Sequence, residues 1–205
     1  YHGGIPYTPE ILWQIKSIAQ RYTVPLYMDG ARIFNAAIAL NTSVKTLAEP
    51  VDALMFCLSK GLGAPIGSLL CGSEIFINQA RKIRKYLGGT MRQAGVVAAC
   101  GLEALKDENI AQLKKDHQHA RLFAEGLKNN TFFTLNPEEV KTNIVALDFS
   151  HTHLNPQQIV TDLETMGVYG KTMGDKLVRF VFYRGISEEM THQALTLVNK
   201  LFSKF

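Results

Sequence analysis

One stretch limits what this chain can become more than any other. The apolar run Val51-Asp52-Ala53-Leu54-Met55-Phe56-Cys57-Leu58 breaks directly into Ser59-Lys60-Gly61-Leu62-Gly63-Ala64-Pro65-Ile66-Gly67. The run reads as a buried strand, and the loop behind it puts a single lysine where that strand ends. Such a lysine is either a solvated strand end or a reactive amine. Gly61 and Gly63 allow positive φ and let the backbone approach a bound group with no Cβ in the way. A lysine held away from water loses its proton near neutral pH and attacks a carbonyl. The stretch alone does not choose between the two, because a plain strand-to-loop turn leaves the same pattern.

With 205 residues, 46% of them hydrophobic, the chain is long enough to bury a substantial core in one or two domains. Its net charge of +4 is spread among acidic residues, and the one basic cluster is Arg81-Lys82-Ile83-Arg84-Lys85. With no aromatic platform beside it, the cluster reads as a solvated helix face rather than a nucleic-acid surface. Cys57, Cys71 and Cys100 all lie in apolar runs. They read as small buried hydrophobes in a reducing compartment, since neither their number nor their spacing suits a disulfide framework or a metal site. No apolar stretch has membrane-spanning length and no signal-peptide pattern opens the chain, so the expectation is a cytoplasmic protein. The first residue is Tyr1 rather than Met, which points to processing or to a longer parent chain.

Taken in order, Thr8-Pro9-Glu10 is a helix start, and Ile11, Leu12, Ile15, Ile18 and Ala19 carry helical spacing to about Tyr22. Val24 to Met28 reads as a short buried strand ending at Asp29-Gly30, and residues 31–40 as a helix broken by Thr42-Ser43 and Pro50. After the lysine loop come a strand over residues 67–72, a helix capped by Ser73-Glu74 to about Tyr86, a Gly88-Gly89-Thr90 hinge, and a helix from about Met91 to Leu105. Polarity rises between Lys106 and Glu108, and the domain boundary is placed there, giving segments 1–107 and 108–205. The second segment reads as a helix over about Ile110 to Lys128, a strand at 143–149, a helix at 156–166, strands near Val168-Tyr169 and at 177–183, and a helix at 187–202. Helices alternating with short strands make both segments α/β or α+β.

Asp29 and Lys60 each stand at the carboxyl end of an expected strand, with helical sequence between them. A right-handed crossover sets such strands side by side, and ligands collect beyond their carboxyl ends. An acid that keeps a ring nitrogen protonated, facing a lysine that forms an imine, is the arrangement pyridoxal 5'-phosphate (PLP) chemistry needs. Arg32, three residues after Asp29, can grip a substrate carboxylate with two hydrogen bonds, or simply form a surface ion pair.

Three motifs now carry a resemblance: Met28-Asp29-Gly30-Ala31-Arg32-Ile33-Phe34-Asn35, the Ser59 to Gly67 loop, and Leu87-Gly88-Gly89-Thr90-Met91-Arg92-Gln93-Ala94-Gly95. In this order and spacing they resemble the low-specificity L-threonine aldolases, PLP enzymes of the aspartate aminotransferase-like fold, and the likeness runs to Phe205. It implies the carboxyl-terminal part of a fold-type-I large domain with a mostly parallel sheet, followed by a small α+β domain. By the same resemblance Lys60 is the Schiff-base lysine, Asp29 the partner of the pyridine nitrogen, and Arg32 and Arg179 the ligands of the substrate carboxylate. Lys85 and Arg92 match positions near the cofactor, across a subunit interface. Arg179 also interrupts an otherwise apolar strand, and an isolated charge in such a run usually has a partner.

The implied reaction cleaves L-threonine or L-allo-threonine to glycine and an aldehyde, in a homo-oligomer that is a tetramer in the family. Family members are longer, and their amino-terminal portion supplies the phosphate-binding loop and the histidine that stacks on the ring. The chain is therefore expected to need that portion for activity. Phe182-Tyr183-Arg184 also replaces the family's usual Thr-His pair. Two other readings stand beside this one: a different PLP reaction, β-elimination or racemisation, and a non-catalytic segment that acts only through association. No nucleic acid, membrane or metal is expected as a partner.

Overall fold

The computed structural model describes residues 3–204. The chain divides into two compact units, one formed by Tyr7–Leu113 and the other by Tyr1–Pro6 with Lys114–Phe205.

In the Tyr7–Leu113 unit, helix α1 (Pro9–Arg21) begins as its sequence demands: Thr8 Oγ1 accepts from the N–H of Ile11 and proline occupies the first helical position. Strand β1 (Tyr27–Asp29) pairs in parallel with β2 (Ala53–Cys57), Tyr27 opposite Ala53 and Asp29 opposite Met55. The crossover between them holds helix α2 (Ile33–Ala39) and a helix absent from the sequence reading, α3 (Val44–Ala48). Ser43, read as a breaker, is the cap of α3, its Oγ accepting from Thr46 N at 3.0 Å. Asp52 fastens this layer together. It accepts the Leu26 N–H at 2.7 Å and the Lys16 ammonium at 2.7–2.8 Å, and those two bonds lower its carboxyl from the usual value.

Strand β3 (Ser68–Gly72) runs antiparallel to β2, completing the order β1-β2-β3. Residues 58–67 are too few for a crossover, so the chain has to double back and the sheet is mixed in direction. Helices α4 (Glu74–Tyr86), α5 (Gly95–Ala104) and α6 (Asp107–Ala111) follow. Strand β3 is exposed along its length and α4 buries no residue. For that reason the cysteines are not the buried groups their neighbours suggested: Cys57 and Cys100 are half-buried and Cys71 is exposed.

The second unit carries a three-stranded antiparallel sheet, β4-β6-β5, from β4 (Ile144–Asp148), β5 (Lys171–Met173) and β6 (Leu177–Val181). Val145, Leu147, Val178 and Phe180 fill one face and pack into a single core with residues of helices α7 (Leu113–Leu127), α8 (Pro156–Thr165) and α9 (Glu188–Phe202). Phe123 of α7 lies 5.3 and 5.5 Å from Phe180 and Phe182, centroid to centroid. From the other end of the chain Gly4 joins this unit, its carbonyl accepting from Thr142 Oγ1 at 2.6 Å.

Two expectations shift here. The helix expected over 110–128 is broken into α6 and α7. The strand expected near Val168-Tyr169 lies at β5 instead, because Val168 N bonds back to Leu163 O and Gly167 N to Glu164 O, with Gly167 at φ +84°. That pair of bonds closes α8 as a Schellman motif and uses the residues the strand would have needed. Among the described residues no helix is long and apolar enough to cross a membrane.

Candidate active site

The parallel pairing of β1 with β2 puts Asp29 and the lysine loop at the same end of one sheet. Asp29 is the last residue of β1, opposite Met55, and Lys60 follows the end of β2 by three residues. The turn after Asp29 is stitched to β2: Gly30 N donates to Met55 O at 2.9 Å and Cys57 N to Ala31 O at 3.4 Å. A Cβ on Gly30 would stand 2.9 Å from that Met55 carbonyl, so only glycine lets the turn come this close. Asp29 Oδ1 accepts from Ala31 N at 3.2 Å, which orients the carboxylate.

Lys60 sits at the tip of a loop hung from buried anchors. Leu58, Leu62 and Ala64 enter a small core with Ala104 and Leu113. Leu58 N donates to Gly67 O at 2.9 Å, Ala64 N to Leu58 O at 3.0 Å and Gly63 N to Lys60 O at 2.9 Å, closing a tight turn around the lysine. Gly63, at φ +81°, makes that turn possible. A Cβ on Gly61 would meet Leu113 at 2.8 Å and Asn35 Oδ1 at 3.0 Å. Asn35, only 3% exposed, is thus a wall of the lysine loop, a role its place in the first motif does not disclose. Its signal was a polar residue standing amid the apolar positions Ile33, Ala36 and Ala37.

Asp29 and Lys60 are both exposed, and no ion pair among the described residues occupies either. Arg32 is the half-buried N-cap residue of α2. Lys85 lies on α4 and Arg92 in the turn before α5, both exposed, and no hydrogen bond or ion pair among the described residues joins them to Asp29 or Lys60. In the other unit Arg179 occupies the middle of β6, between Ala146 of β4 and Lys171 of β5, and its Nε is buried with no hydrogen-bond partner among the described residues. An open polar cleft of about 450 Å³ in that unit is lined by His153, Asn155, Thr172, Asp175 and Lys176, and includes none of the six residues just placed.

An uncommitted amine and an oriented carboxylate at adjacent strand ends fit the carbonyl and ring-nitrogen ends of PLP. Lys60 could hold the first through its ε-amine and Asp29 the second through its carboxylate.

Comparison with known proteins agrees in kind. The family model for beta-eliminating lyases matches residues 1–150. The low-specificity L-threonine aldolase 1 of Arabidopsis thaliana is 39% identical over 195 residues, 95% of this chain and 54% of that protein. The low specificity L-threonine aldolase of Escherichia coli O157:H7 is 43% identical over 127 residues, 62% of this chain and 38% of its own length. Among solved structures, a threonine aldolase of Leishmania major superposes with a TM-score of 0.73 at 17% identity, covering 97% of this chain and 58% of that one. The fold is thus the one that the solved threonine aldolase has, and the chain spans about half the length of the curated relatives it matches.

Proposed function

The chain belongs to the beta-eliminating lyase family, and from that premise we propose that it is the carboxyl-terminal part of a PLP-dependent aldolase. The substrate is a β-hydroxy-α-amino acid, L-threonine or L-allo-threonine, and the products are glycine and an aldehyde. One observation carries the reading: Asp29 and Lys60 stand at the carboxyl ends of two neighbouring parallel strands, with nothing among the described residues neutralising the lysine. The relatives' names choose the reaction within that chemistry.

When bound, PLP supplies the electron sink that makes the Cα–Cβ bond of an amino acid breakable. Lys60 holds its carbonyl carbon through the ε-amine, at the tip of a turn whose anchors are buried. Asp29 keeps the proton on the ring nitrogen. Arg32 and Arg179 bind the substrate carboxylate, and their planar guanidinium forks fix its orientation. Lys85 and Arg92 belong to the cofactor's surroundings in a cytoplasmic homo-oligomer, a tetramer by analogy with the family. The apolar surface exposed on α4 and the residue after it, Ile75, Ile83, Tyr86 and Leu87, is surface for the rest of the longer polypeptide or a second subunit to cover. Residues 1–107 are assigned to the cofactor-binding domain and 108–205 to the small one, a division that differs from the compact units at residues 1–6 and 108–113. Since the relatives are about twice as long, full activity is placed in the longer polypeptide.

The test is borohydride reduction after PLP is added to that longer polypeptide, followed by peptide mass spectrometry. The expected result is an adduct on Lys60, lost in Lys60→Ala together with glycine release from threonine. An adduct elsewhere, or one that survives Lys60→Ala, overturns the proposal. The matched family's name favours one second reading, β-elimination. Pyruvate from serine or cysteine, with no glycine from threonine, would establish it.

A further inference from the structure

We propose that Lys171 is a second carboxylate-binding residue, forming with Arg179 a two-cation seat on the outer face of the β4-β6-β5 sheet. The proposal rests on the reading of Arg179 as a substrate-carboxylate ligand and extends it to a residue not yet given a role.

The placement follows from strand register. Lys171 of β5 is the antiparallel partner of Arg179 of β6. Directly opposed residues share a face, with Cβ atoms about 4.5–5.5 Å apart. Which face is settled by the neighbours. A Cβ on Gly170 would meet Phe180 at 3.0 Å and Val178 at 3.3 Å, both buried in the core. Thr172 Oγ1 donates to Gln157 Oε1 of α8, on the same inner side. Lys171, lying between Gly170 and Thr172, therefore projects from the outer face, as Arg179 does between buried Val178 and Phe180.

Two like charges placed opposite one another repel and weaken the pairing, and an anion bound between them relieves that repulsion. No acid among the described residues does so. Among the described residues neither Lys171 nor Arg179 has an ion-pair partner, and the buried Arg179 Nε has no hydrogen-bond partner. The one carboxylate on the same face of β4, Asp148, is offset diagonally from Arg179, and its Oδ1 is engaged by Ser150 N at 2.8 Å. An orphaned guanidinium N–H beside an exposed ammonium is a donor set for a small oxyanion. A carboxylate fits it well, because its two oxygens can take the guanidinium fork and still accept from the ammonium.

The experiment follows the arginine Nε–Hε resonances of the protein by NMR, at constant ionic strength, while sodium acetate or inorganic phosphate is added. The Arg179 signal, identified by its loss in Arg179→Lys, should shift saturably with acetate. In Lys171→Gln the acetate dissociation constant should rise about tenfold, and Lys171→Arg should restore it. Unchanged acetate affinity in Lys171→Gln, in a variant whose spectrum is otherwise native, overturns the proposal. So does the absence of a saturable acetate shift, or saturation by phosphate alone. The readout is independent of Lys60: failure to trap PLP on Lys60 leaves the anion seat standing, and failure of the seat leaves the Lys60 adduct unaffected.

Discussion

Replacing Asp116 by asparagine should stabilise the chain at mildly alkaline pH and do nothing at acid pH. Asp116, on α7, is 3% exposed, and burial pushes its carboxyl up from 3.8 to about 6, against the pull of His119 and Arg184. The folded chain therefore keeps a proton that the unfolded chain has lost between those two values. A carboxyl raised in this way makes stability fall as pH rises through the window, and the loss persists above it. A gap of roughly two pH units corresponds to about 3 kcal/mol at full weight, and about 1–2 kcal/mol once solvent screening is allowed for. His117, next along the helix, works in the opposite sense. Burial lowers it from 6.5 to about 4, so its contribution is complete above the unfolded value and lost as pH falls towards the folded one. The two slopes oppose each other in the parent, and subtracting parent from Asp116→Asn cancels the histidine. The only tryptophan, Trp13, lies in the other unit. The assay is accordingly urea unfolding read by hydrogen exchange of the α7 amides, at about pH 4, 6 and 8. The expected gain is near zero at the first and about 1–2 kcal/mol at the last. A difference independent of pH, or a loss at about pH 8, would show that the buried carboxyl is ionised throughout, and the reasoning fails.

Phe123→Ala should remove the ring that packs on Phe180 and Phe182, costing about 3–5 kcal/mol in unfolding measured by the same exchange. Gly30→Ala forces a Cβ to within 2.9 Å of the Met55 carbonyl. It should cost about 1–3 kcal/mol by thermal unfolding followed through Trp13, because backbone rather than a flexible side chain has to move. If its midpoint matches that of the parent, the close approach does not constrain the turn.

Much of the helical framework was legible from short stretches. Thr8 caps α1, Ser73 caps α4 and Ser187 caps α9, each through a hydroxyl that accepts an N–H three residues on. These signals are local, and no distant part of the chain needs to be known to read them. The same holds for Asp29 and Lys60, whose positions at strand ends follow from where apolar runs stop and glycines begin. Pairing is another matter. The parallel register of β1 on β2, the reversal into β3, and the displacement of the strand from Val168 to Lys171 each depend on contacts far apart in sequence or on competition for the same backbone groups. Burial is likewise non-local: the sequence around Cys71 is apolar, yet the residue is exposed because no described element covers β3.

Residue order alone therefore supplied the groups to which the proposed chemistry is assigned: an amine on a glycine loop, a carboxylate one strand away, and arginines after β1 and within β6. Tertiary structure decided which of them meet. It put Asp29 and the Lys60 loop at one end of a parallel strand pair, made Asn35 a wall of the lysine loop, and set Lys171 opposite Arg179. Caps and turns are closed by residues a few positions apart, whereas strand register and burial arise only when distant segments fold against one another.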